Sequence, residues 1–114
     1  MDSEISASQY TLGELIAALK AEDPDKMVPL GFGNPHSYRG YYEQLAFEPM
    51  ADRTVGDMLA DAESALGAAY QGWKGGDFTM TERTDVWLAF EGEISGETIG
   101  HISLTLMLGT KAGL

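Results

Sequence analysis

The stretches TLGELIA at residues 11–17 and TVGDMLA at residues 54–60 match position by position, and they decide the expected fold. Each begins with a threonine that a carboxylate, Glu14 or Asp57, follows three residues later. This spacing predicts a capping box, in which the hydroxyl accepts a backbone hydrogen bond from the first turn and the acid reaches back to the threonine N–H. The sequence therefore predicts one helix after each threonine.

Apolar side chains recur at helical spacing behind both starts, which predicts two amphipathic helices that each cover a sheet. Asp23-Pro24 is expected to end the first helix, and Gly67 is expected to weaken the C-terminal end of the second. The apolar positions are Leu12, Leu15, Ile16 and Leu19 in the first helix, and Val55, Met58, Leu59, Ala62 and Leu66 in the second.

Short strand patterns follow each helix. They predict an α+β fold, with an antiparallel sheet of about five strands and the two helices packed on one face. Residues 11–108 form the expected single domain, with a flexible N-terminus at 1–10 and a flexible tail at 109–114. The expected strands are 27–32, 41–47, 78–80, 84–91 and an alternating strand at 98–108, with a loop at 33–40 and a hairpin turn at 91–96.

The composition is acidic: seven Lys and Arg residues stand against eighteen Asp and Glu residues in 114, for a net charge of −11. Such a charge disfavours direct binding to nucleic acid or to anionic membranes. There is no cysteine, no apolar run of the about 20 residues that cross a bilayer, and no basic, apolar leader at the N-terminus. These features predict a cytoplasmic protein.

Two loops combine aromatic residues, glycine and one cation: SYRGYY at residues 37–42 and YQGWKGGD at residues 70–77. Glycine lets the backbone approach a ligand, the rings offer flat faces, and Arg39 and Lys74 bring positive charge. Each ring taken alone is better explained by core packing or a hairpin connection. Together the loops predict a site for a flat anionic ligand, with His36, Tyr38, Arg39, Tyr41, Tyr42, Trp73, Lys74 and Asp77 as the candidate residues.

Signals of catalysis are weaker than those of binding. His36 and His101 are the only histidines, and they do not have the spacing of a metal site. The phosphate-binding loop pattern and the Gly-x-Ser-x-Gly pattern are both absent. We therefore expect neither a metal nor a cofactor, and we favour a binding protein over the open alternative of a nucleotide-cleaving enzyme.

Four stretches together resemble a family of small uncharacterised proteins encoded by actinobacterial phages and prophages: LGELIAAL, LGFGNPHSYRGYYEQLAFEP, TVGDMLADAESALGAAYQGWKGGDFTM and TDVWLAF. The likeness covers most of residues 11–91 and is most specific in SYRGYY and GWKGGD. It implies a phage protein acting in the infected host cell, where small acidic proteins often counter host defence, and it implies no catalytic activity.

Two functions follow as hypotheses. The first is a non-enzymatic protein that sequesters a small anionic ligand, such as a nucleotide immune signal, in a pocket that a homo-oligomer would share between subunits. The alternative is an acidic mimic of nucleic acid that blocks a basic host defence protein such as a CRISPR or restriction nuclease.

Overall fold

The computed structural model of the chain describes residues 9–37, 44–71, 77–90 and 96–109. Over these residues the fold is α+β, as the sequence predicts. The elements in chain order are α1 (Leu12–Lys20), β1 (Met27–Ser37), β2 (Gln44–Thr54), α2 (Val55–Ala65), β3 (Ala69–Gln71), β4 (Asp77–Thr79), β5 (Asp85–Leu88), β6 (Glu97–Thr98) and α3 (His101–Leu108).

Both predicted helix starts are confirmed. Thr11 and Thr54 cap α1 and α2, and each makes the two reciprocal bonds of the capping box, with Glu14 and Asp57 respectively. The Thr54 N–H donates to Asp57 Oδ2 at 3.1 Å, and hydrogen bonds with Thr54 lower the pKa of this carboxyl from its ordinary value of 3.8. The shorter aspartate therefore completes the box as the glutamate does.

The main sheet is mixed, so the prediction of an antiparallel sheet of about five strands is only roughly met. Its strand order is β1-β2-β5-β6, and β2 runs parallel to β5, while β3 and β4 form a separate two-stranded sheet. The reason is that β2 leads directly into α2. A helical crossover brings the next strand alongside in the same direction, whereas a tight turn would reverse it.

The predicted strand at 98–108 is wrong. Only Glu97–Thr98 pairs with β5, and the chain then turns at Gly100 into helix α3, which ends at Gly109 in the left-handed conformation (φ 75°). Leu104 and Leu108, four residues apart, are buried, whereas Leu106 is 73% exposed. The leucines that alternate as in a strand therefore also include a pair at the four-residue spacing of a helix, and this pair is the one that is buried.

The predicted loop at 33–40 is also wrong in its first half. Residues Gly33 to Ser37 continue strand β1, and β2 extends past residue 47 to Thr54, so the two strands form a long antiparallel ribbon. Pro29 and Pro35 fit there because β1 is an edge strand of the sheet, where a missing N–H breaks no ladder bond on the open side.

One apolar core joins all three helices to the sheet. Phe32 and Phe47 lie at its centre with ring centroids 4.6 Å apart. Side chains of α1, α2 and α3 pack there with Leu45 of β2 and Val86 of β5. Within the described ranges, no helix has the length and apolarity required to cross a membrane.

Candidate functional site

The predicted site residues divide between described and undescribed parts of the chain. His36 is the penultimate residue of β1, and Asp77 is the first residue of β4. The other candidates lie outside the described residues: Tyr38, Arg39, Tyr41, Tyr42, Trp73 and Lys74. Of the predicted site residues, His36 is therefore the one whose side-chain contacts the structure describes.

An irregularity in β1 determines the direction in which His36 points. The pairing of β1 with β2 is continuous as far as Gly33↔Glu48 and resumes shifted by one residue at His36↔Ala46. Without this bulge His36 would lie opposite Leu45, whose side chain belongs to the main core. Because a bulge of one residue reverses the face on which later side chains lie, His36 is turned away from the core.

The face to which His36 turns has its own apolar cluster, separate from the main core. Ala46 of β2 and Ala89 after β5 are fully buried there, and the partly buried Trp87 packs against them. We call this side of β2 and β5 the outer face. The alternation is regular, since the flanking Leu45, Phe47 and Val86 all point into the main core.

His36 and Trp87 stand in one row across the outer face. His36 is paired with Ala46, Ala46 with Trp87, and Trp87 with Thr98 of β6. Neighbouring strands lie about 4.8 Å apart, so the Cα atoms of His36 and Trp87 are separated by about 10 Å. We call these four residues the His36–Trp87 row. In this row the His36 imidazole and the Trp87 indole lie on either side of the Ala46 methyl group.

The backbone before His36 orients its ring. Asn34, within the bulge, adopts the left-handed conformation at φ 49°, which asparagine tolerates better than most residues. Its carbonyl oxygen lies 2.9 Å from His36 Nδ1. A carbonyl only accepts hydrogen bonds, so Nδ1 carries the proton and Nε2 of the neutral ring presents a lone pair.

No hydrogen-bond donor among the described residues meets that lone pair. The His36 side chain is 6% exposed, and among the described residues no group hydrogen-bonds its buried Nε2 atom. A buried polar atom without a partner destabilises a protein by about 1–3 kcal/mol. A bulge and a left-handed residue thus coincide with a buried imidazole nitrogen that no described residue partners.

A charged contact stabilises β1 just before the bulge. The Arg53 guanidinium donates from Nη1 to Asp61 Oδ2 of α2 and to the carbonyl oxygen of Phe32, the latter at 3.3 Å. Both side chains are largely buried, at 20% and 29% exposed. The absence of a side chain at Gly33 leaves room for this pair. Arg53 is therefore engaged in positioning the strand.

Replacing His36 by leucine is expected to leave the free energy of unfolding unchanged or to raise it, by up to about 2 kcal/mol. The substitution loses one hydrogen bond to Asn34 but relieves the unpartnered nitrogen. Urea denaturation of both proteins measures the difference. A loss of more than about 1 kcal/mol would instead indicate that His36 serves the fold.

Among the described residues, no three His, Asp or Glu side chains lie close enough together to hold a metal ion. His101, which falls in the strand predicted at 98–108, is instead the exposed first residue of α3, with Nδ1 3.3 Å from the Tyr10 hydroxyl. The outer face carries the His36 imidazole and the Trp87 indole, each of which has a flat ring and a hydrogen-bonding nitrogen.

Trp87 and Asn34 were missed by the sequence analysis. The segment TDVWLAF at residues 84–90 is a short apolar strand, and its alternation identifies Trp87 and Ala89 as facing opposite to Val86 and Leu88. That signal was available. The bulge at Asn34 was not, because Gly33-Asn34-Pro35 is equally typical of a turn.

Comparison with protein-family models, with curated proteins and with solved structures finds no significant match to this chain.

Proposed function

We propose that this chain is a non-enzymatic binding protein that sequesters a small, flat, anionic ligand on the outer face of its sheet. One observation carries the proposal: the bulge in β1 places His36 in one row with the Trp87 indole, and no described residue hydrogen-bonds the buried Nε2 of His36. Stacking on an aromatic face contributes about 1–3 kcal/mol for a nucleobase-sized ring. A hydrogen bond to a desolvated nitrogen adds directional selectivity.

The anionic character of the ligand rests on the cations of the two predicted loops. Arg39 follows His36 by three residues in the chain, and Lys74 precedes Asp77 by three. A protein of net charge −11 repels anions at long range, so a site for one needs cations nearby. Guanidinium and ammonium groups bind phosphate oxygens through charge-assisted hydrogen bonds.

In the phage setting that the resemblance implies, such a ligand is a nucleotide immune signal of the host, which the protein binds without turnover. We test this by calorimetric titration with cyclic nucleotides and ADP-ribose derivatives, and by native mass spectrometry of freshly purified protein. Binding of a member of the panel, recovered intact after denaturation, is the expected result. Cleavage of the ligand would instead establish the enzyme alternative.

The double substitution Arg39→Ala and Lys74→Ala is expected to weaken ligand binding by at least 100-fold, because two charge-assisted bonds of about 1.5–3 kcal/mol each are removed. The matched control replaces Lys20 and Arg83, both exposed, and changes the net charge equally. It should leave affinity within about threefold, since exposed charges are screened. Equal losses in the two double variants would contradict a specific site.

A second candidate function, an acidic mimic of nucleic acid that blocks a basic nuclease, is favoured by one feature of the fold. The Gly56 N–H donates to the Pro24 carbonyl at 2.9 Å, which brings exposed Asp57 towards exposed Asp23 and Asp25. A mimic captures a nuclease that DNA displaces and that salt releases. A protein that sequesters a small ligand captures no nuclease, and binding of that ligand distinguishes it from a mimic.

A further inference from the structure

We infer that the ligand is held by a nucleobase, whose exocyclic amino group donates to Nε2 of neutral His36 while its ring lies between the alanine floor of the outer face and the Trp87 indole. The inference rests on the proposed function and specifies the ligand class for the same site. It uses only residues that the structure describes: His36, Ala46, Trp87 and Ala89.

The polarity of the hydrogen bond excludes phosphate as the group that meets His36 in its neutral form. Because Asn34 O accepts from Nδ1, the opposite nitrogen offers a lone pair and seeks a donor. Phosphate oxygens at neutral pH offer lone pairs as well, so the two would repel. Amino groups of adenine, cytosine and guanine are donors in the plane of a flat ring, and they match this nitrogen.

In the described part of the chain, the outer face beside His36 and Trp87 carries only small apolar side chains, those of Ala46 and Ala89. Ala46 and Ala89 present only methyl groups, and the partly buried Trp87 packs against them. Since a tryptophan side chain turns about two bonds, the indole can lift from the alanines and close on the other side of an inserted ring. The edge of that ring then faces His36, which is paired with Ala46 across the ribbon.

Fluorescence of Trp87 reports this insertion directly. The chain has two tryptophans, so Trp73→Phe leaves Trp87 as the sole indole. Because Trp73 is itself a predicted site residue, the unchanged protein is titrated with the same compounds by calorimetry, which shows whether this substitution alters binding. We would titrate this variant with AMP, CMP and GMP, and with ribose 5-phosphate and pyrophosphate, which lack a base. We expect saturable changes in the Trp87 emission with at least one base-bearing nucleotide and none with the base-free anions.

The amino group is tested with a matched ligand on the unchanged protein, for which folding is not in question. AMP is compared with its N6,N6-dimethyl analogue, or GMP or CMP with the corresponding dimethylated analogue if that nucleotide binds more tightly. We expect at least tenfold weaker binding of the analogue. His36→Leu should weaken the parent nucleotide by at least tenfold and abolish this discrimination, whereas His101→Ala should leave both affinities unchanged.

The outcomes separate the two levels of the argument. Equal binding of the dimethylated analogue, or binding of pyrophosphate and ribose 5-phosphate as tight as that of the nucleotides, overturns the nucleobase inference and leaves an anion-binding function standing. Absence of binding for every one of these compounds and also for the cyclic nucleotides and ADP-ribose derivatives, in calorimetry as well as in fluorescence, overturns both. Discrimination by the amino group that persists in His36→Leu overturns the assignment to His36.

Discussion

Replacement of Phe47 by alanine is expected to lower the free energy of unfolding by about 3–5 kcal/mol. Phe47 is fully buried, belongs to the cluster that joins the helices to β2 and β5, and packs on Phe32 with a centroid distance of 4.6 Å. Truncation removes the apolar surface of the ring, its aromatic pairing and its packing contacts, and leaves a cavity. Small domains are stable by only about 5–15 kcal/mol, so a substantial fraction of the variant should be unfolded near physiological temperature.

Urea denaturation followed by circular dichroism measures the loss, with Phe90→Ala as the control. Phe90 is 54% exposed, so the same chemical change there should cost less than half as much as at Phe47. Comparable losses at the two positions would show that the core does not lie between the helices and this face of the sheet.

Replacement of Gly33 by alanine is expected to destabilise the protein by about 1–3 kcal/mol, an effect typical of overpacking. A β-carbon there would lie closest to Arg53 Nη1, 2.9 Å from Met50 Sδ and 3.1 Å from Asp61 Oδ2. It would displace the guanidinium from its partners on α2 and on Phe32. Because Gly33 adjoins the bulge, we also expect weaker ligand binding in calorimetry.

A double-mutant cycle with Arg53→Met isolates the cause. If the clash with the guanidinium dominates, Gly33→Ala should cost less in the Arg53→Met background, with a coupling energy of at least about 0.5 kcal/mol. Additive effects would assign the cost to the backbone of Gly33 or to Met50 instead. Thermal and urea denaturation of the four proteins provide the measurement.

The helices α1 and α2 could be predicted because their signals are local. Thr11 with Glu14, and Thr54 with Asp57, satisfy each other within one turn, and no distant residue is needed to complete the box. The C-terminal helix carried opposing local signals. Its leucines fit the two-residue period of a strand as well as the four-residue spacing of a helix. Its N-cap residue, Gly100, has no side chain to cap the first turn, although its N–H donates to Ser103 Oγ.

The candidate site was predictable in part. His36 was predicted as a candidate because it lies close to Arg39 in a segment that contains glycine. It is buried near the end of β1, and no described residue hydrogen-bonds its Nε2 atom. Trp87 was not predicted because the segment TDVWLAF contains no cation, and the pattern that selected the two loops requires one beside the aromatic residues. Its relation to His36 arises across two strand pairings, and the two residues are 51 positions apart in the chain.

By itself the sequence determined where two helices begin, that the fold combines helices with strands, and that cations are few enough for those beside aromatic residues to stand out. These are properties of neighbouring residues, set by hydrogen bonds and steric limits within a few positions. Only the tertiary structure decided that β5 runs parallel to β2 and that the leucines after Gly100 form a helix. It also decided that an extra residue in β1 turns His36 towards Trp87, because strand register and burial depend on partners distant in the chain.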